Sequence, residues 1–99
     1  MVLLMATYYC KAGAGDAVIE LLREMAPLVK QHEPDCLVYE VFRSRDNADV
    51  IMLHELYRTM EALEAHRQTP YFQDIIEGRV IPRLERRERS LYDPVVIRE

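Results

Sequence analysis

The 99-residue sequence has no tryptophan, three glycines, two cysteines and three histidines. Cys10 and Cys36 lack the C-x-x-C spacing of a redox or zinc motif, so we expect reduced thiols that serve in packing. Three histidines without an H-x-x-x-H pair do not make a zinc site. Gly13 and Gly15 form only a turn, which excludes a glycine-rich loop for phosphate. The sequence therefore predicts a protein without a bound metal or nucleotide cofactor.

An excess of basic residues is also missing. Lysine and arginine total 13 against 17 aspartates and glutamates, which gives a net charge of -4 and an isoelectric point near 5.4. These values disfavour a nucleic acid or an anionic membrane as partner, because such partners bind a basic face. The one arginine-rich run, Arg83 to Arg89, alternates with Glu85 and Glu88 and is expected to be solvated rather than to bind phosphate.

Long hydrophobic runs are absent as well. No segment reaches the roughly 18–20 apolar residues that a membrane span needs, and Met1 to Cys10 lacks the basic start of a signal peptide. We therefore expect a cytoplasmic protein. At this length a single domain is expected, over residues 1–93 with a tail over 94–99, and its core can be only modest. A partner subunit would add stability.

Segments dense in apolar and aromatic residues predict four strands. They are Val2–Cys10, Cys36–Ser44, Val50–Tyr57 and, more weakly, Leu84–Tyr92. The polar turn over residues 45–49 makes the middle two strands a hairpin.

Helical spacing is clearest in the stripe of Val18, Leu21, Leu22, Met25, Leu28 and Val29. Asp16 is the expected cap of this helix, and Pro27 is expected to kink or break it after about two and a half turns. Thr59 caps a short helix over Met60–Arg67, and Thr69-Pro70 opens another.

The resulting order is strand, helix, strand, strand, helix, strand. This order is typical of the α+β ferredoxin-like fold, a split β-α-β with a four-stranded antiparallel sheet in the order 4-1-3-2 and helices on one face. In this topology Cys10 and Cys36 lie at opposite ends of the sheet, too far apart for a disulfide.

The first and third strands are apolar on both faces of this sheet, although helices cover only one. Val2–Ala6 and Val50–Leu53 have no polar alternation. An open apolar face of this size would be a large patch for a soluble monomer. The sequence therefore predicts a homodimer in which two copies pack sheet on sheet.

Three segments, His32–Tyr39, Leu53–Tyr57 and Leu63–Phe72, resemble the antibiotic biosynthesis monooxygenase family of dimeric α+β barrels. The resemblance covers about residues 2–93. It implies a homodimeric barrel with a pocket between the helices and the sheet of each subunit. Members include cofactor-free oxygenases of quinols and polycyclic phenols, haem-degrading enzymes and an isomerase of a phosphorylated signal, while many others have no known substrate.

The sequence departs from the haem-degrading branch of that family. That branch has an Asn on the first strand, a Trp on the second helical segment and an axial His ten residues later. The corresponding positions here are Tyr8, His66 and Ile76. The resemblance therefore implies no haem and no other cofactor.

Three polar side chains are the candidate catalytic residues. His66 is either a general base or a helix-end histidine that bonds a backbone carbonyl. Glu55 lies in an apolar strand and needs a partner, since a lone buried carboxylate is costly; it either orients an imidazole or anchors a helix. His54 points to the opposite face from Glu55, so it lies either in the pocket or in the dimer barrel.

The favoured hypothesis is a cofactor-independent monooxygenase of a small quinol or polycyclic phenol, with His66 as base. Aromatic side chains would hold the flat substrate; the candidates are Tyr8, Tyr39, Tyr57, Tyr71 and Phe72. Two alternatives stay open: an isomerase of a phosphorylated metabolite, and a non-catalytic dimer that binds a small apolar molecule. Arg43, Arg67 or Arg79 at the pocket would favour the phosphorylated substrate, whereas a wholly apolar pocket would favour the quinol.

Overall fold

A computed structural model describes residues 1–97 of the chain. The strands are β1 (Val2–Cys10), β2 (Cys36–Arg43), β3 (Val50–Tyr57) and β4 (Leu84–Tyr92). The helices are α1 (Gly15–His32), α2 (Met60–Arg67) and α3 (Phe72–Val80), of which α3 has π-helical hydrogen bonding and continues into a 3-10 turn over Ile81–Arg83. Of the tail expected over 94–99, residues 98 and 99 lie outside the described residues.

The strands form one antiparallel sheet in the order β2-β3-β1-β4, which confirms the predicted topology. Cys10 ends β1 beside Leu84, whereas Cys36 pairs with Tyr57 at the other end of the sheet. Both thiols are free, as expected. No helix within the described residues is long and apolar enough to cross a membrane.

One face of the sheet packs against the helices and forms the core. Alternate residues of β1 and β3 point to this face and are buried. Apolar side chains of α1 and α3 cover them; they are Val18, Leu21, Leu22, Met25, Val29, Ile75, Ile76 and Val80. On this face the strands follow the period of two, and the helices the period of 3.6, that the sequence predicts.

The other face of the sheet, here called the open face, carries the intervening residues of the strands. Its apolar members are Leu3, Met5, Tyr9, Val38, Phe42, Val50, Met52, Leu56 and Tyr92. Most are half-buried, while Phe42 is 48% exposed. The prediction that the second face is also apolar is thus confirmed.

The expected break in α1 and its expected cap are both wrong. The helix is not broken at Pro27, because that residue is exposed while Met25 and Val29 on either side are buried in the core and hold the helix together. Asp16 does not cap it, since no side-chain cap bond comes from within the helix. Instead Asp49, in the β2–β3 turn, accepts hydrogen bonds from the amides of Gly13 (3.0 Å) and Gly15 (2.9 Å).

Candidate active site

His66 lies in the last turn of α2 and is 2% exposed. The helix begins as predicted, with the Thr59 hydroxyl accepting a hydrogen bond from the amide of Ala62. Leu63 and His66 are three residues apart, so both point from α2 into the protein. The imidazole is therefore held on an inward face and shielded from water.

One side of the imidazole contacts Glu33, the residue that follows α1. His66 Nδ1 lies 2.8 Å from Glu33 Oε1 and 3.0 Å from Oε2. The Tyr71 hydroxyl donates a further hydrogen bond to Glu33 Oε2. The Glu33 side chain is only 11% exposed, so this contact is largely dry.

The other side of the imidazole faces Glu55 of β3. Glu55 is 4% exposed, and its Oε1 accepts a 2.6 Å hydrogen bond from the Tyr57 hydroxyl. The same oxygen lies 3.7 Å from His66 Nε2. Burial raises the pKa of Glu55, although the Tyr57 hydrogen bond and the His66 ring oppose the rise. Glu55 thus has the partner that its position in an apolar strand requires.

These contacts define the roles of the two ring nitrogens. Because Glu33 accepts a hydrogen bond at Nδ1, the proton of the neutral imidazole is placed on Nδ1. Nε2 is then the unprotonated nitrogen, and its nearest carboxylate atom lies beyond hydrogen-bond distance. His66 can therefore accept a proton at Nε2 while Glu33 stabilises the resulting imidazolium.

A narrow cavity lies against His66 and Glu55. Its lining residues are Leu4, Ala6, Tyr8, Glu55, His66, Arg67, Phe72, Arg87 and Arg89. Its enclosed space is about 20 Å³, which is room for about one water molecule. Counted together with the open space at its mouth, it measures about 330 Å³. The lining is apolar on one side and basic on the other.

The five predicted aromatic residues all lie around the imidazole or its partners. Phe72 meets the His66 ring edge-on at 5.1 Å between centroids, and the rings of Tyr57 and Tyr39 lie 5.6 Å and 6.0 Å away. Tyr8 and Phe72 line the cavity. Tyr57 is fully buried, and Tyr71 bonds Glu33 instead of facing the cavity. Burial raises the pKa of the Tyr8, Tyr39 and Tyr57 hydroxyls, which stay protonated.

His54 is not brought together with the other two candidates. It lies on the open face, where its Nδ1 is 3.5 Å from Glu40 Oε1. Of the two locations considered for it, the structure excludes the cavity beside His66, because His54 lies on the opposite face of the sheet. Over residues 1–97, no three His, Cys, Asp or Glu side chains are grouped as a metal ion requires.

Glu33 is the site residue that sequence reasoning missed. A glutamate just after a helix is normally solvated, so its position at the end of α1 does not by itself indicate a site residue. A usable signal existed, since this segment belongs to the first of the three blocks that carry the family resemblance. The packing of α2 against the end of α1 brings the carboxylate to the histidine.

Several proteins of known structure have the same architecture. A candidate antibiotic biosynthesis monooxygenase from Caulobacter crescentus CB15 is 28% identical, with a TM-score of 0.88 over 96% of this chain and 90% of that one. Rv0793 from Mycobacterium tuberculosis is 25% identical, with a TM-score of 0.87 over 99% of this chain and 98% of that one.

Sequence comparison adds two findings. An uncharacterized protein from Synechocystis is 33% identical over 45 residues, which are 46% of this chain and 31% of that protein. The chain thus matches about a third of that relative's length. The family model described as antibiotic biosynthesis monooxygenase matches residues 1–78, well over half of the sequence. The chain therefore belongs to the antibiotic biosynthesis monooxygenase family.

Proposed function

We propose that the protein is a cofactor-independent monooxygenase in which His66 removes a proton from a quinol or polycyclic phenol. The observation that carries this proposal is the buried imidazole, bonded to Glu33 through Nδ1, with Nε2 free of a hydrogen-bond partner, beside a cavity that the histidine lines. A general base must be positioned and kept available for its substrate, and this arrangement meets both needs.

Besides the base, the reaction needs few other groups from the protein. Removal of a proton by Nε2 makes the substrate an electron-rich anion that can react directly with dioxygen. One oxygen atom becomes a carbonyl on the attacked ring carbon and the other leaves as water, with both electron pairs supplied by the substrate. Apolar Leu4, Ala6 and Phe72 exclude bulk water from the base, and Tyr8 and Phe72 offer ring surfaces for a flat substrate.

Glu33 and Glu55 have different parts in this proposal. Glu33 is a positioning residue, because it fixes the ring orientation and the protonated nitrogen of His66. Glu55 faces the reacting nitrogen and anchors Tyr57. Burial raises its pKa, and its Oε1 lies 3.7 Å from Nε2, beyond hydrogen-bond distance, so it leaves the Nε2 lone pair free for the substrate.

The alternative function is an isomerase that uses the same base without oxygen. Arg67 lines the cavity, as a phosphate-binding side chain would, and this observation favours the alternative. A non-catalytic protein that binds a small molecule in the same cavity is the third reading.

We also propose that the active form is a cytoplasmic homodimer of a single domain. The apolar open face supports sheet-on-sheet packing of two copies, which would bury the side chains left half-exposed in one subunit. His54 and Glu40 would then lie at the interface between subunits.

The deciding experiment measures oxygen uptake with a panel of polycyclic hydroquinones. His66→Ala should lower turnover about 10²–10⁴-fold, because the base is lost. His32→Ala, at an exposed histidine, is the matched control and should retain turnover. Oxygen-independent conversion of a phosphorylated ketone would instead establish the isomerase. If neither substrate class is converted, or if both variants behave like wild type, the catalytic proposal is wrong.

A further inference from the structure

Strand β4 divides its charged side chains between the two faces of the sheet. Arg87 and Arg89 line the cavity beside His66, whereas Arg86 and Glu88 alternate with them on the open face. This division follows from the period of two along a strand. Over residues 86–89, the run that looks like a mixed, solvated charge cluster in the sequence is therefore basic on the side of the cavity.

The charges on the two faces are compensated differently. On the open face Arg86 forms an ion pair with Glu88 and stacks over the ring of Tyr9 at 3.7 Å. Within residues 1–97, neither Arg87 nor Arg89 forms an ion pair with a carboxylate, and the same holds for Arg67. The three guanidinium groups around the cavity thus have no direct ion-pair partner among the described residues, although the Arg89 charge acts on the nearby Glu55.

Among the described residues that line this cavity, Glu55 is the one acid. Burial raises the pKa of Glu55, so its carboxyl keeps a proton to higher pH than usual. Burial and the Glu55 charge raise the pKa of the Tyr8 hydroxyl, and the Arg87 and Arg89 charges oppose that rise. The positive charge therefore acts on the inside of the cleft as well as at its exposed mouth.

We propose that Arg67, Arg87 and Arg89 form an anion subsite, and that the substrate carries a carboxylate or a phosphate group beside its reacting carbon. Planar guanidinium groups bind both anions through paired hydrogen bonds. The inference rests on the proposed function, because the bound anion would set the substrate next to His66 Nε2.

Most of this subsite lies outside the segment that the family model matches. The family match ends at residue 78, before β4 begins at Leu84. The matched segment contains His66 and Arg67, while Arg87 and Arg89 come from the strand beyond it. The enclosed space of about 20 Å³ is too small for an anion, so the anionic group would bind at the open mouth, where Arg87 and Arg89 are exposed.

The test compares phenyl phosphate, benzoate and phenol as probes at constant ionic strength. Binding is followed by two-dimensional NMR of the backbone amides of β1 and of the arginine Nε–H groups. We expect the anionic probes to bind at least about tenfold more tightly than phenol, with shifts at Leu4, Ala6 and Tyr8. Arg87→Gln and Arg89→Gln should each weaken anion binding, and the double variant should abolish it.

The matched control is Arg45→Gln, which removes the same charge from the β2–β3 turn and should leave binding within about twofold. A stronger response to phenyl phosphate than to benzoate identifies a phosphate substrate, and the reverse order identifies a carboxylate. Equal binding of phenol, or an equal loss in Arg45→Gln, overturns the subsite. His66→Ala should keep anion binding. The binding test can therefore contradict the anion subsite whether or not His66 is the general base.

Discussion

His66 Nδ1 and Glu33 Oε1 lie 2.8 Å apart although 33 positions separate the two residues in the sequence. The contact joins the end of α1 to the end of α2, and Tyr71, just ahead of α3, bonds the same carboxylate. A single glutamate thus ties three helical segments to the candidate base.

Removing the Glu33 carboxylate should change which nitrogen of His66 carries the proton. In wild type, nitrogen NMR of histidine-labelled protein should report a protonated Nδ1 and a bare Nε2. Glu33→Ala removes the acceptor, so the more common Nε2–H form should appear. Glu33→Gln keeps an acceptor oxygen and is the control. An unchanged spectrum in Glu33→Ala would mean that the carboxylate does not hold the ring.

Substitutions of Glu55 should separate the loss of a hydrogen bond from the loss of a charge. Glu55→Gln keeps an acceptor for the Tyr57 hydroxyl and should cost little. Glu55→Leu leaves that buried hydroxyl without an acceptor and should lower the free energy of unfolding by about 1–3 kcal/mol. Adding Tyr57→Phe to Glu55→Leu should recover part of the loss, because both polar partners are then gone. Equal melting temperatures for all variants would contradict this account.

Glu55 should also make stability depend on pH in one direction. Its pKa in the folded protein is raised above the ordinary value of 4.5, so the folded state binds more protons than the unfolded state above that pH. The stability that the neutral carboxyl contributes is therefore present below pH 4.5 and is lost as pH rises through the folded-state pKa. The free energy of unfolding of wild type, measured against Glu55→Gln, should fall over this range. Parallel profiles would show that Glu55 titrates normally.

Gly15 should not tolerate a side chain. A Cβ atom there would lie 2.2 Å from the Ala48 carbonyl oxygen and 2.9 Å from Asp49 Oδ1. Because the nearer atom is backbone, Gly15→Ala should displace the β2–β3 turn and cost about 1–3 kcal/mol. Gly78→Ala is the control, since its Cβ would meet only Gln73 O at 3.4 Å. Chemical denaturation of the two variants gives the comparison, and equal stabilities would refute the clash.

The open face should mediate self-association. Wild type at micromolar concentration should scatter light as a dimer, and Met52→Lys should yield the 11.7 kDa monomer with its helix-face core intact. Ala17→Lys, on the exposed side of α1, should remain dimeric. A monomeric wild type would leave the open face unexplained.

The fold could be predicted from the sequence because its signals are local. Apolar runs define the strands, and the stripe from Val18 to Val29 defines α1. The errors concern contacts between distant segments. Asp16 is expected to cap α1 because it lies near the start of the helix, yet the amides of Gly13 and Gly15 donate to Asp49 instead. Pro27 looks like a break, yet core packing on both sides outweighs the lost hydrogen bond.

The candidate site could be predicted only in part for the same reason. His66 and Glu55 were identified as candidates, but their relative position depends on how α2 lies on the sheet. The faces of Arg87 and Arg89 depend on the register of β4, which shifts between Tyr9 and Cys10. No pattern within β4 itself indicates whether its odd-numbered or its even-numbered residues face the cavity.

The cap that Asp49 provides for α1 has a consequence for folding. The amides of Gly13 and Gly15 obtain their acceptor from a residue 36 and 34 positions later in the chain. The start of α1 therefore obtains these acceptors only when the β2–β3 hairpin lies against it. Completion of the helix and closure of the hairpin should occur in one cooperative step, and Asp49 should act on the folding rate as strongly as on the final stability.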